Sequence, residues 1–159
     1  GTVESVDLLG LAAEECARVG AELILDLDPA WRAAQTSAPE DAALPVQGVA
    51  KLLRRAVRNL LENAHRHAAG TITLGLSQTA GHAVVRVCDQ GPGVPPDLRE
   101  RIFEPFYRLP GATERDGGVG LGLALVKSIA LRHGGSVHCE DHAGGGACFV
   151  MQLPLAPLA

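Results

Sequence analysis

A glycine-rich segment at residues 117–123 constrains the possible structures of this chain more than any other feature. It reads Gly-Gly-Val-Gly-Leu-Gly-Leu and leads directly into residues 124–131, a run typical of a helix. Glycines let a backbone approach a ligand closely, and the unpaired N–H groups at a helix N-terminus attract anions. The segment therefore predicts a phosphate-binding loop, although it matches neither a Walker loop nor the dinucleotide fingerprint that directly follows a strand.

The longest predicted helix covers residues 49–68, where apolar side chains recur at helical spacing until Gly70. Asn59 and Asn63 are four residues apart within it, so both amides project from one side. Asparagine is a poor helix former, and two in register indicate a role. An amide oxygen suits Mg²⁺, and Arg66 would neutralise phosphate charge nearby. The alternative is that the two amides only hydrogen-bond neighbouring loops.

A predicted strand over residues 83–89 ends in Asp89-Gln90-Gly91-Pro92-Gly93. One interpretation of this ending is an ordinary turn, which Asp and Gly both favour. The other is a nucleotide site, in which the glycines give a flat ring room and Asp89 accepts a hydrogen bond from the amine of adenine. Guanine presents a carbonyl at that position, so a buried carboxylate would discriminate against it.

Hydrophobic periodicity predicts the remaining elements. Helices are predicted over residues 3–19 and 122–133, and strands over residues 23–28, 71–77, 136–140 and 147–153. Residues 32–45 are predicted as a loop with at most a short edge strand. The aromatic cluster of Phe103, Phe106 and Tyr107 is interpreted as a hydrophobic plug. The polar loop that follows, at 109–118, suits a lid over a bound ligand.

Composition limits the remaining classes of protein. Of the 159 residues 47% are apolar, which is enough for one domain with its own core. The net charge of −4 argues against a nucleic-acid partner. No apolar run approaches the eighteen or so residues of a membrane span.

The four cysteines form no Cys-x-x-Cys pair, which favours four buried thiols in a reducing cytosol. A zinc site made of His138, Cys139, His142 and Cys148 is a competing hypothesis. It is disfavoured because His138 and Cys139 would point to opposite faces of one strand. Their spacing also matches none of the usual zinc patterns.

Four short motifs occur in order along the chain: Asn59-Leu-Leu-Glu-Asn63-Ala, Asp89-x-Gly91-x-Gly93, Phe103-Glu-Pro-Phe106-Tyr-Arg108 and Gly118-x-Gly120-x-Gly122. They resemble, in the same order, the N, G1, F and G2 boxes of the catalytic and ATP-binding domain of bacterial sensor histidine kinases. The resemblance covers roughly residues 6–155, and the Ala- and Arg-rich composition resembles the actinobacterial branch of that family.

The resemblance implies an α+β fold of the GHKL or Bergerat type. This is a two-layer α/β sandwich in which a mixed sheet of about five strands is covered on one face by about three helices. Residues 1–20 would hold the linker from a missing dimerisation hairpin and the first helix. Residues 21–159 would form the catalytic and ATP-binding domain.

The resemblance also implies a function, in which the chain binds ATP with Mg²⁺ and transfers the γ-phosphoryl to a histidine of the missing dimerisation domain. A response-regulator aspartate would then receive the phosphoryl group. The parent protein would be a homodimer in the inner membrane, and this cytoplasmic domain would be monomeric with no nucleic-acid partner. A GHKL-type nucleotide-sensing module and an anti-sigma-type serine kinase remain as alternatives.

The motifs assign roles to individual residues by resemblance. Asn63 matches the Mg²⁺ ligand, Asn59 a polar residue that supports the metal and its waters, and Asp89 the adenine-reading acid. Arg66, His67 and Arg108 match phosphate-side positions, and the expected catalytic set consists of Asn59, Asn63, Arg66 and Arg108. The other expected nucleotide-binding residues belong to the G1, F and G2 boxes: Gly91, Gly93, Val94, Phe103, Phe106, Gly118, Val119, Gly120, Leu121, Gly122 and Leu123.

The chain departs from the family pattern in two ways, and a third feature separates it from other families that share the fold. Val119 stands where the family often carries Thr or Ser, which removes a hydroxyl contact. None of the six histidines lies in the phosphoacceptor motif, so the acceptor is expected on another domain. Asn59 stands where gyrase-like and Hsp90-like ATPases and anti-sigma kinases carry a Glu base. A neutral amide cannot act as that base, so slow ATP hydrolysis is expected.

Overall fold

The computed structural model describes residues 1–30, 44–67, 70–107 and 122–156. The α-helices in these ranges are α1 (Leu8–Val19), α2 (Ala50–His67) and α3 (Gly122–Arg132). The strands are β1 (Glu4–Asp7), β2 (Glu22–Asp26), β3 (Pro45–Gly48), β4 (Thr73–Thr79), β5 (His82–Cys88), β6 (Ser136–Asp141) and β7 (Ala147–Pro154). None of the helices described is long and apolar enough to cross a membrane.

Five strands form one mixed sheet in the order β2-β4-β5-β7-β6. The β2–β4 pair is parallel, and the other neighbouring pairs are antiparallel. Ala80 and Gly81 join β4 to β5, and Gly81 has a positive φ of +78°, which glycine adopts without the steric cost that a side chain would bring. The three helices pack into one core with this sheet. The predicted α+β sandwich is therefore confirmed.

The apolar face of α2 forms the centre of the core. Its residues recur every three or four positions, and they lie against the sheet and the other two helices. Burial of each Leu or Val side chain contributes about 1.5–3 kcal/mol. This face therefore fixes the orientation of α2. Its fully buried side chains are Leu53, Ala56, Val57, Leu60, Leu61 and Ala64.

The predicted first helix is wrong at its start, because residues 4–7 form β1. This strand pairs antiparallel with β3 in a separate two-stranded sheet, with Val6 opposite Val46. The helix begins only at Leu8, where the Asp7 side chain accepts a hydrogen bond from the Leu9 N–H at 3.0 Å. Gly20, with φ +72°, ends the helix as predicted. The partner of β1 lies far along the chain, so local periodicity did not reveal it.

The expectation of four free thiols is also wrong. Cys88 and Cys148 lie opposite each other on β5 and β7, with their Cα atoms 4.1 Å apart, and form a disulfide. Cys16 and Cys139 are buried free thiols, as expected. Sixty residues separate the paired cysteines in the sequence. Only the register of the two strands brings them together.

A buried carboxylate joins α1 to α2. Glu15 is 2% exposed, and its oxygens accept hydrogen bonds from Arg58 at 2.8 Å, Arg54 at 2.9 Å and Arg18 at 3.3 Å. The hydrogen bonds from Arg58, and then those from Arg54 and Arg18, outweigh the effect of burial and lower the pKa of Glu15 from 4.5 to about 2. The ionised carboxylate therefore stabilises the folded state.

The cost of replacing this carboxylate should depend on pH, because only the parent protein carries the titrating group. The lowered pKa corresponds to roughly 3 kcal/mol, and because solvent screens the partly exposed arginines we expect Glu15→Gln to cost about 1–2 kcal/mol at pH 7. Urea unfolding should give a constant difference from the parent above pH 4.5, the ordinary pKa of Glu. The difference should shrink as the pH falls from 4.5 towards 2 and the native carboxylate becomes protonated.

Glu14→Gln is the matched control, because Glu14 also pairs with Arg54, at 2.6 Å, but its side chain is 66% exposed. We expect it to change the free energy of unfolding by less than about 0.5 kcal/mol. Equal effects of the two substitutions, or a cost of Glu15→Gln that does not vary with pH, would contradict the assignment.

Candidate functional site

Asn59 and Asn63 lie on α2 beside its buried apolar face. Asn63 is only 9% exposed, and no described residue forms a hydrogen bond with its amide. The Asn59 amide nitrogen donates to the carbonyl of Gly122, the first residue of α3, at 3.3 Å. The N box and the last glycine of the G2 box are thus in contact. The hydrogen bond of Asn59 is also the one that a purely structural role would require.

A second contact joins α2 to α3 at its other end. The Nε2 atom of His133 accepts a hydrogen bond from the N–H of Val49, just before α2, at 3.1 Å. Its Nδ1 atom donates to the carbonyl of Ile129 in α3 at 2.7 Å. A side chain at Gly48 would overlap this imidazole ring. His133 therefore fills the space between the start of α2 and the end of α3.

Asp89 follows the last residue of β5 and is 4% exposed. Its Oδ1 atom accepts hydrogen bonds from the N–H groups of Gly91 at 2.9 Å and Ala147 at 3.3 Å. No described residue donates to Oδ2. The carboxylate is thus held by the backbone through one oxygen, and the other oxygen remains available to a ligand amine. This arrangement fits adenine recognition, and it also contains the Asx turn of the simpler interpretation.

The turn between β6 and β7 packs directly on Asp89. His142 Nδ1 donates to the Asp89 carbonyl at 2.8 Å, and Gly146 lies so close that a Cβ there would overlap the same oxygen. Gly93, with φ +79°, is also tightly placed, since a Cβ on it would lie 3.0 Å from the carbonyl oxygen of Gly146. The sequence indicated only a turn here. Three successive glycines before a buried strand were the available signal of close backbone approach.

The aromatic cluster is only partly the predicted plug. Phe103 is buried and packs edge-on against Phe149, with ring centroids 6.2 Å apart. Val94 of the G1 segment is also buried in this core. Phe106 is instead 69% exposed and has a positive φ of 67°, which is unusual for a residue other than glycine. The plug interpretation is therefore wrong for Phe106.

Several predicted site residues lie outside the described ranges. They are Arg108 and the glycine-loop residues Gly118, Val119, Gly120 and Leu121, and the predicted lid at 109–118 is also outside. The backbone of His67 ends α2, but its side chain is not described. Arg66 is exposed and lies 3.9 Å from Glu62, so it is not held against the Asp89 region. Gly122 and Leu123 form the first turn of α3, as expected.

A cavity of about 700 Å³ lies between Phe103 of the aromatic cluster and β6. It shares only Phe103 with the predicted nucleotide-binding residues. It is therefore distinct from the region around Asn63 and Asp89. The residues that line it are Pro96, Asp97, Arg99, Glu100, Phe103, Lys127, Val137, His138 and Cys139.

Comparisons with known proteins place this arrangement in a family. Residues 48–157 match the histidine kinase-, DNA gyrase B-, and HSP90-like ATPase family. The sensor protein RstB of Escherichia coli K12 is 46% identical over 106 residues, which are 66% of this chain and 24% of RstB. The curated relatives are longer proteins, since the chain spans 24% to 42% of RstB, the cyanobacterial kinase SasA and the E. coli kinase CpxA.

Two solved mycobacterial structures share the whole fold. The sensor histidine kinase MprB is 30% identical with a TM-score of 0.74, and the match covers 98% of this chain and 99% of that one. The ATP binding domain of PrrB from Mycobacterium tuberculosis is 29% identical with a TM-score of 0.69, covering 99% and 100%. The chain belongs to the histidine kinase-, DNA gyrase B-, and HSP90-like ATPase family. Its relatives are sensor histidine kinases, which confirms the resemblance and favours it over the serine-kinase alternative.

The close approach of Gly146 to Asp89 predicts a specific loss of ATP binding. In Gly146→Ala the added Cβ would overlap the Asp89 carbonyl oxygen and displace the carboxylate. Titration with a fluorescent ATP analogue should show affinity reduced by at least about tenfold, which corresponds to 1.4 kcal/mol.

Gly145→Ala is the matched control. Gly145 has a similarly positive φ, +110°, but a Cβ there meets nothing within 4 Å. Both substitutions should lower stability by about 1 kcal/mol through backbone strain, Gly146→Ala should cost more because its Cβ also overlaps the Asp89 backbone, and only Gly146→Ala should weaken ATP binding. Equal affinities of the two variants would show that the turn does not position Asp89.

Proposed function

We propose that this chain is the catalytic domain of a sensor histidine kinase, which binds Mg-ATP and transfers the γ-phosphoryl to a histidine of a separate dimerisation domain. A response-regulator aspartate then accepts the group from that histidine. The membership in the ATPase family and the sensor-kinase relatives support this proposal. Its finer parts, which are the site residues, the metal and the partners, rest on the chemistry of the side chains.

The environment of Asp89 is the observation that carries the proposal. A carboxylate buried to this degree is costly unless it is hydrogen-bonded, and the backbone satisfies one oxygen. An adenine amine would satisfy the other oxygen. Gly93 and Gly146 have positive φ and no side chain, so the backbone of the two turns packs closely around Asp89 and holds the carboxylate in place for a base. Adenine is therefore the base that this pocket fits best.

Asn63 fits a role as ligand for Mg²⁺. Its amide is nearly buried and no described residue pairs with it, while its oxygen is the hard, neutral donor that Mg²⁺ accepts beside waters and phosphate oxygens. The metal, when bound, would neutralise phosphate charge. Asn59 supports the site differently, because its amide N–H is bonded to Gly122 and thereby holds the start of α3 near Asn63.

The transfer requires this chain mainly to position ATP relative to the acceptor histidine. The bond from the γ-phosphorus to the bridging oxygen of ATP breaks, a bond to an imidazole nitrogen forms, and ADP leaves. The N–H groups at the start of α3, together with Arg66 and Arg108, would face the phosphates and offset their charge. We assign no general base to this chain, since a neutral Asn59 cannot take a proton from water or a hydroxyl.

The same proposal gives the chain a place in a larger protein. It would be the cytoplasmic domain of a membrane-bound sensor kinase, monomeric by itself and dimeric through the domain that carries the acceptor histidine. This agrees with curated relatives that are several times longer than the matched segment. Of residues 1–20, proposed as the linker and first helix, β1 and α1 pack in the core of the catalytic domain, so only the residues before β1 would act as a linker from the dimerisation hairpin.

The identity of the adenine-reading group can be tested with Asp89→Asn. Asparagine can keep an oxygen towards Gly91 and Ala147, but its NH₂ then replaces Oδ2 and opposes the adenine amine. We expect ATP affinity to fall by at least about tenfold and the preference for ATP over GTP to shrink. Competition titrations with ATP and GTP measure both. Asp26→Asn, the same change at an exposed position of β2, should alter neither, and an unchanged preference in Asp89→Asn would remove Asp89 from the base pocket.

The reaction itself can be tested by incubating this chain with γ-labelled Mg-ATP and the separately expressed dimerisation hairpin. Label on the hairpin that is lost in acid and stable in base is expected, because phosphohistidine has that stability pattern. Acid-stable label would indicate a serine kinase. ATP binding without labelled protein would favour a nucleotide-sensing module. Steady-state hydrolysis by the chain alone should be slow, as Asn59 implies.

A further inference from the structure

A cluster of three potential metal ligands lies behind Asp89, and the proposed phosphoryl transfer does not use it. Cys88 and Cys148 project from β5 and β7 on the sheet face opposite Val87 and Phe149, which lie in the core. His142 begins the turn between β6 and β7. The two sulfur atoms and one ring nitrogen of His142 all lie within 4.8 Å of one another.

His142 makes the backbone hydrogen bond that is typical of a metal-binding histidine. Its Nδ1 atom is 2.8 Å from the Asp89 carbonyl, which can only accept, so Nδ1 carries the proton. The lone pair is then on Nε2. Histidines that bind metals commonly donate their other ring N–H to a backbone carbonyl in this way, which fixes the tautomer and the ring. This bond is a second observation, independent of the proximity of the three side chains.

We propose that the dithiol form of Cys88 and Cys148 binds a thiophilic metal ion of the Zn²⁺ class together with His142. The two thiolate charges cancel the charge of a divalent ion, and the imidazole is neutral, so the complex carries no net charge. Both cysteines are nearly buried, and burial favours a neutral complex over a charged one. Three protein ligands leave one coordination position open, which water can fill. The inference is independent of the proposed kinase activity.

The disulfide and the metal site exclude each other. A dithiol reductant first attacks one sulfur of the Cys88–Cys148 bond, which releases the other cysteine as a thiol and forms a mixed disulfide. The second thiol of the reductant then attacks this mixed disulfide, closes the reductant's own disulfide and releases the second cysteine. The products are two cysteine thiols and the oxidised reductant. The metal then binds both sulfurs and releases two protons. The site therefore exists only after reduction, and oxidation of the two thiolates by a disulfide of low molecular weight would expel the metal.

The cluster differs from the zinc set that the sequence offered. Cys139 faces the core opposite Phe149, and His138 is exposed and lies 2.6 Å from Glu140. Neither belongs to the cluster. Cys88, which the sequence-based set lacks, supplies the second sulfur, because the register of β5 and β7 places it opposite Cys148.

Cobalt and zinc titrations of the reduced chain test the proposal. The disulfide is reduced with a phosphine, which is removed without oxygen, and Co²⁺ is added as the spectroscopic probe. We expect one equivalent to produce thiolate-to-cobalt charge-transfer absorption, and Zn²⁺ to displace it. Oxidised protein should give no such signal. Cys16→Ser and Cys139→Ser, which remove the two buried free thiols, are matched controls that should keep it.

Removal of a ligand should weaken zinc binding by more than the roughly 10–100-fold typical of losing a residue outside the first shell. Cys148→Ser should abolish the charge-transfer band. His142→Ala should weaken binding while leaving the two strands and their fold intact, which circular dichroism checks. Absence of the band in the reduced parent protein, or its persistence in Cys148→Ser, would overturn the proposal. Equal affinities of the parent and His142→Ala would also overturn it.

Discussion

The packing of the apolar face of α2 determines where the polar residues of the site lie. Leu60, Leu61 and Ala64 are fully buried, and Asn59 and Asn63 each directly precede one of these buried residues along the helix. Because the buried side chains permit only one rotation of the helix, the two amides come to lie at the border of the core. A polar group at such a border is shielded from water and still open to a ligand. The hydrophobic core thus orients the proposed metal ligand.

Much of this arrangement follows from local sequence. Helical periodicity located α2 within two residues of its observed ends, because one apolar face and the stop at Gly70 both act locally. Alternation located β4 and β5, and the four ordered motifs identified Asn59, Asn63 and Asp89 together with the fold. The Asp89 environment agrees with its expected role in part, since Gly91 does approach the carboxylate. The role itself stays a prediction.

What local sequence did not reveal depends on pairing between distant segments. β1 forms only because β3 lies beside it, and the isolated residues 4–7 continue the periodicity of α1. Cys88 meets Cys148 through the register of two strands, and no short spacing announces it. Gly146 likewise contacts Asp89, although the two residues are far apart in the sequence. Each of these contacts joins two segments that the topology of the fold brings together. A short sequence motif covers only one of the two segments, so it does not predict the contact.

The two contacts between α2 and α3 have a mechanical consequence. One joins Asn59 to Gly122, and the other joins Val49 to His133. About ten residues separate Val49 from Asn59, which is roughly 15 Å along a helix axis. Two hydrogen bonds placed that far apart resist both sliding and tilting of α3 against α2, so the two helices are held as one rigid unit. A displacement of Gly122 is therefore coupled to Val49 and, through Gly48, to the two-stranded sheet of β1 and β3.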